Sequence, residues 1–123
     1  MGILCLYLSQ KVSRMLIVVV DDCPISGQIL VNHLEARGFW SLYQKYPESL
    51  IPLMLEGGMM PDAFFLDFEM PRMNGLELAY NLSWSIFAHV PIIFSSSIYV
   101  MGYPNLPKPI SLKRLDELCA TFL

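Results

Sequence analysis

The run Ala63-Phe64-Phe65-Leu66 is apolar at every position and is bounded by residues that do not extend it, Pro61-Asp62 before and Asp67 with Pro71 after. A half-exposed strand would alternate and a helix would be longer, so the run is a short strand covered on both faces. Pro71 lacks an N–H and has a fixed φ, and Asn74-Gly75 is turn chemistry. The chain therefore leaves the strand through a loop before a helix begins at Leu76. Asp67 is placed at the carboxyl end of a buried strand, where open parallel sheets hold their ligands.

Met15-Leu16-Ile17-Val18-Val19-Val20 is a second segment of this kind, β-branched and uninterrupted, ending in Asp21-Asp22. Two adjacent carboxylates repel one another and are stable there only if exposed or shared with a cation. A helix follows, with Pro24 in its first turn, Ile25, Ile29, Leu30 and Leu34 at helical spacing, and Gly38 as a left-handed terminator. Phe39 to Tyr46 reads as the next strand. Pro47-Glu48 opens a helix that ends at Gly57-Gly58, with Pro52 leaving its start open. Asn74 and Glu77 form a capping-box pattern for the helix from Leu76 to about Trp84, and Trp84 is expected to pack. Val90 to Phe94 is a fourth strand, running into Ser95-Ser96-Ser97. A last helix from Ser111 sets Leu112, Leu115, Leu118, Cys119 and Phe122 on one face. Strands alternating with helices at this spacing give an α/β fold, a flavodoxin-like, doubly wound, parallel five-stranded sheet.

At 123 residues the chain is long enough to bury a core without disulfides or a structural metal. The formal net charge is −3 with no cluster of Lys or Arg, which excludes the footprint of a direct nucleic-acid binder. Cys5, Cys23 and Cys119 are odd in number and far apart, arguing against a disulfide framework or a zinc site and for reduced thiols in a cytoplasmic protein. Residues 1–14 read as an extension ahead of a domain covering 15–123. Its apolar stretch Ile3 to Leu8 is too short to span a membrane and lacks the flanks of a secretion signal.

The order apolar strand, Asp67, three residues, Pro71, three residues, Gly75 and a helix resembles the phosphoacceptor segment of the response-regulator receiver domain, of the chemotaxis-regulator-like kind. Three further marks agree in order and distance: Asp21-Asp22 looks like the acidic pair, Ser96 like the small hydroxyl residue, with Ser95 and Ser97 as rivals, and Lys108 before Pro109 like the lysine. The resemblance covers the chain from about Met15 to its end. It implies that these groups meet at the carboxyl edge of the sheet, and that a cis peptide follows Pro109. It implies phosphorylation of Asp67 by a histidine kinase or a histidine phosphotransfer protein, with Mg2+ held by Asp22, Asp67 and the backbone carbonyl of Glu69, and by Asp21 directly or through water. Such a cation answers the repulsion among three carboxylates, Lys108 adds a second positive charge, and Ser96 donates to a phosphoryl oxygen. The implied module is cytoplasmic and free-standing, and its output is a downstream protein target or a phosphate relay.

Two departures from the family pattern stand out. Asn105 occupies the position, three residues before the lysine, where the family usually carries a switching aromatic. Only Ile98 to Leu106 joins the fourth strand to Pro107-Lys108. At about 3.3 Å per residue that reaches roughly 30 Å, enough to return along a strand but not to wind a helix on the way. The fourth helix of the fold, between the fourth and fifth strands, is therefore expected to be missing or reduced to one turn. Its loss is expected to uncover apolar sheet, to be covered by Ile3 to Leu8 or by a second copy in a homodimer. A hydrophobic fraction of 54% against 15% charged residues fits such a face. The departures leave an alternative, a degenerate receiver that acts as a phosphorylation-independent interaction module. Asp67-Phe68-Glu69 also loosely resembles the paired acids of haloacid-dehalogenase phosphatases, but that motif belongs on a first strand of a longer chain.

Overall fold

The computed structural model describes residues 14–123. Five strands, β1 (Leu16–Val20), β2 (Trp40–Gln44), β3 (Ala63–Leu66), β4 (Ile92–Ser96) and β5 (Asn105–Pro107), form one parallel sheet in the order β2-β1-β3-β4-β5. Among the described residues four helices connect or follow them: α1 (Pro24–Ala36), α2 (Leu50–Gly57), α3 (Gly75–Ser83) and α4 (Leu112–Phe122). This is the flavodoxin-like doubly wound order, whose reversal point lies between β1 and β3.

The period of two along the central strands builds two cores. Val18, Val20, Phe64, Leu66 and Phe94 point toward α2 and α3, where they meet Leu50, Met54, Leu78, Ala79 and Leu82. Ile17, Val19, Phe65, Ile93 and Leu106 point the other way, toward Leu30, Val31 and Leu34 of α1 and Leu115 and Leu118 of α4. Each fully buried Phe contributes about 2–3 kcal/mol relative to exposure.

Element boundaries shift modestly from the sequence reading. A 3-10 turn, Pro47–Ser49, precedes α2, so Pro52 falls in that helix's first turn, where its missing N–H has no intrahelical partner in any case. Trp84 does not pack. It is the C-cap of α3, 78% exposed, with its ring edge-to-face with that of Tyr80 at a centroid separation of 6.2 Å. Ile25 and Ile29 also stand outside the core, Ile25 being 75% exposed; the inner stripe of α1 is Gly27, Leu30, Val31 and Leu34. Leu112 and Phe122 lie at the two ends of α4 and are exposed. An eleven-residue helix is about 16 Å long and overhangs a three-residue strand of about 10 Å.

Between β4 and β5 no helix forms: Ser97 to Pro104 is a loop with a turn at Met101-Gly102, and Gly102 has φ 88°. The sheet beneath is nonetheless covered, contrary to expectation. Val100 inserts into the α2/α3 core and Tyr103 packs edge-on against Phe94 at 4.9 Å between ring centres. The loop supplies from within what a helix would supply from above, and a cavity of about 180 Å³ lies beside α3. Ile3 to Leu8, the other expected cover, lies outside the described residues.

Candidate functional site

Three carboxylates converge where β1 and β3 end. Oxygens from Asp21, Asp22 and Asp67 all lie within 4.8 Å of one another, with Asp21 and Asp67 buried and Asp22 half-buried. The sheet itself sets their positions, because the ladder's last bonds land on the site residues. Asp21 N–H donates to the Gln44 carbonyl (3.2 Å), Asp67 N–H to Val20 (2.9 Å), and Lys108 N–H to Ser96 (3.1 Å).

Within the cluster Asp21 is the most constrained group. Its Oδ1 accepts the Cys23 N–H at 2.9 Å and its Oδ2 accepts the Lys108 ammonium at 2.6 Å. Asp67 Oδ1 accepts its neighbour's N–H, from Phe68, at 2.9 Å, while Oδ2 faces Lys108 at 3.7 Å. The lysine is thus shared, and nearer to Asp21. Burial pushes the Asp67 carboxyl up to about 6; Lys108 opposes this, Asp21 adds to it, and hydrogen bonds from Ser96 and Phe68 also oppose it. Desolvation and like charge outweigh a single lysine at this distance.

Ser96 is the serine of its triplet on the Asp67 side of β4, near enough to help lower that carboxyl's pKa. Ser95 turns to the opposite face of β4, buried with its hydroxyl unpartnered, and Ser97 is exposed beyond the strand. The Ser96 Oγ also accepts the Ile98 N–H at 3.2 Å. The Lys108–Pro109 peptide is cis; the cis bond precedes Pro109 rather than following it. The side chain of Glu69 is exposed, and its carbonyl accepts no hydrogen bond among the described residues.

Gly75 holds the Asp67 loop against α3. A Cβ there would collide with the Asp67 carbonyl oxygen and the Phe94 ring, while Gly75 N–H donates to Phe68 at 2.8 Å. Asn74 caps the helix, its side chain accepting the Glu77 N–H at 2.9 Å. Two residues the sequence reading passed over complete the support. The Tyr43 hydroxyl donates to the Asp21 carbonyl at 2.6 Å, and Gly27 leaves room for the Tyr43 ring, with which any Cβ would clash. Burial and the nearby Asp21 charge push the Tyr43 phenol up, keeping it a donor. A glycine inside a helix costs about 1 kcal/mol relative to Ala, and that cost was the available signal.

Two cavities flank the carboxylates. One, about 350 Å³, lies between Asp22, Lys45, Tyr46 and Glu48 on one side and Pro71 and Arg72 on the other. Arg72 adopts φ 71° and its guanidinium pairs with Glu48 at 3.3 Å. The second, about 410 Å³, is apolar, with Ile25 and Ile29 of α1 facing Pro109 and Ile110 across Lys108.

The donor set suits a hard divalent cation, with one oxygen from each of three carboxylates close enough to share a single ion. No helix among the described residues is long and apolar enough to cross a membrane.

No family model matches the chain. It is similar to an uncharacterized response regulatory protein of Yersinia pestis, 27% identical over 107 residues that cover 82% of this chain and 45% of that protein. The chain spans less than half the length of the curated relatives it matches. Among solved structures, a response regulator receiver protein from Pseudomonas putida aligns with a TM-score of 0.77 and 26% identity over 89% of this chain and 98% of that one. The receiver domain of a sensor histidine kinase from Pseudomonas aeruginosa, with a magnesium ion coordinated in its active site cleft, aligns with a TM-score of 0.78 over 89% and 98%. Its identity of 16% makes that a likeness of fold.

Proposed function

This chain has the receiver-domain fold of the response regulators, and on that premise we propose that it is a phosphoacceptor module of a two-component phosphorelay, phosphorylated on Asp67. The observation that carries the reading is the convergence of Asp21, Asp22, Asp67, Ser96 and Lys108 at the carboxyl edge of the sheet. In the proposed step an Asp67 carboxylate oxygen attacks the phosphorus of a phosphohistidine. The O–P bond forms as the N–P bond breaks, and the departing imidazole keeps the electron pair and takes a proton. Lys108 supports the charge gathering on the phosphoryl oxygens, and the Ser96 hydroxyl donates to one of them. Asp22 and Asp67, with Asp21 directly or through water and the Glu69 carbonyl, would hold Mg2+. Held there, the cation would offset the repulsion among the three carboxylates and supply Lewis-acid stabilisation of the charge on the phosphoryl oxygens.

The donor in this reading is a protein, a histidine kinase or a histidine phosphotransfer protein. The apolar rim of Ile25, Ile29 and Ile110 beside Lys108 favours a helical protein surface over a small phosphate ester. The chemistry is confined to the chain's own phosphorylation and dephosphorylation, the setting is cytoplasmic, and the output is a contact with a downstream protein. A homodimer over the β4–β5 face is not needed to cover the sheet there, since Val100 and Tyr103 already do so.

The decisive experiment exposes the chain to phosphoramidate with Mg2+ and reads intact mass. One phosphate on the wild type and none on Asp67→Asn is expected. Unchanged labelling of that variant, or no labelling of either, would overturn the assignment. The alternative, a phosphorylation-independent interaction module, has one observation in its favour: Asn105 bonds the β4–β5 loop where a switching aromatic would move.

A further inference from the structure

The β4–β5 loop is tied at two points and free between them. At one end the Ser96 hydroxyl accepts the Ile98 N–H at 3.2 Å. At the other, the buried Asn105 amide accepts the Val100 N–H at 2.9 Å and donates to the carbonyls of Val100 (2.9 Å) and Tyr103 (2.7 Å). Asn105 is itself fixed, paired with Phe94 across the sheet, with its carbonyl accepting from Arg114 Nε at 3.1 Å. Val100 is in the core and Tyr103 lies on Phe94. Moving this end would leave several buried polar groups unpaired at once, whereas the Ser96 end hangs on one bond.

We propose that Asn105 is a positioning residue that anchors the loop at Val100 and confines the response to phosphorylation to the arc Ser97, Ile98 and Tyr99, with Tyr99 as the side chain that reports it. The inference rests on the phosphoacceptor reading of Asp67. A phosphoryl group there places acceptor oxygens beside the Ser96 hydroxyl, and a hydroxyl that moves to donate to them loses its alignment with the Ile98 N–H. The displacement must be absorbed before the next fixed point, which is Val100. Tyr99 sits within that span and is 74% exposed. It forms one wall of a cavity of about 320 Å³ whose other walls include Tyr103, Pro104 and Arg114. Those walls belong to the anchored side, so a shift of Tyr99 changes the shape of the cavity while its base stays put.

Amide NMR on the full chain with Mg2+, before and after beryllofluoride, tests this, together with amide exchange at Val100. In the wild type the Val100 amide should exchange on the order of a hundredfold more slowly than those of Tyr99 and Met101, and Asn105→Ala should remove that protection. Beryllofluoride should shift Ser96 to Tyr99 and leave Met101 to Tyr103 in place, whereas in Asn105→Ala the shifts should spread to Tyr103. Should Asn105→Ala not fold, Asn105→Asp keeps an acceptor for Val100 but loses both donors, and the same spreading is expected. Fast Val100 exchange in the wild type, or wild-type shifts running through Met101 to Tyr103, overturns the anchor. Shifts at Asp22, Asp67 and Lys108 without any at Ser97 to Tyr99 overturn this inference alone. No shift anywhere around Asp67 overturns it together with the phosphoacceptor reading.

Discussion

Asp67 holds a carboxylate where burial and a neighbouring acid both oppose its charge, and that conflict is measurable as stability. Its carboxyl titrates at about 6 in the folded chain against an ordinary 3.8. Between those values the folded chain holds more protons than the unfolded one. The contribution of the neutral acid is therefore complete below about pH 4 and is lost as pH rises through about 6, by at most about 3 kcal/mol. Urea midpoints across that window should fall with rising pH in the wild type and stay nearly level in Asp67→Asn. Gly75 is a second point of tension, since the Asp67 carbonyl occupies the space of a side chain. Gly75→Ala should cost about 2–3 kcal/mol and weaken beryllofluoride binding, because backbone must move to admit the methyl group. Equal binding in that variant would show that the loop tolerates the shift.

Among the elements, α3 is the clearest case of local sequence acting alone. Asn74 caps it as its spacing to Glu77 requires, and Asn74→Ala should lower stability by about 1 kcal/mol without altering phosphate uptake. Loss of uptake would mean that the cap also holds the Asp67 loop. The inner face of α1 was misread for an instructive reason. Its stripe runs Gly27, Leu30, Val31 and Leu34, but a glycine leaves no hydrophobic mark, so Ile25 and Ile29 took its place in the pattern. The Tyr43 ring, from another strand, fills the gap at Gly27. Trp84 was misjudged because helical spacing cannot say where a helix outruns the surface it covers.

At the scale of the whole molecule, the two strand ends that carry acids are neighbours only because β1 and β3 pair in parallel, and that geometry should show in cation binding. Mg2+ at about ten times its dissociation constant should stabilise the chain by about 1.4 kcal/mol at neutral pH, seen as a raised Tm that EDTA reverses. Asp22→Asn should weaken the effect, and a Tm indifferent to Mg2+ would remove the cation from the proposed site. What the sequence determined by itself was whatever depends on local pattern: buried strands from unbroken apolar runs, the carboxylates at their ends, the cap at Asn74, and the missing helix from a connection too short to wind one. Those follow from chain geometry and side-chain chemistry over a few residues. Only the tertiary structure decided that Ser96 and not Ser95 faces Asp67, that Lys108 lies nearer Asp21, and that Tyr43 steadies the Asp21 backbone. It also decided that the loop covers its own sheet through Val100, Tyr103 and Asn105. Each of these depends on strand register and on contacts between segments distant along the chain or folded back across a turn, and no local pattern encodes which of several polar groups will find the partner.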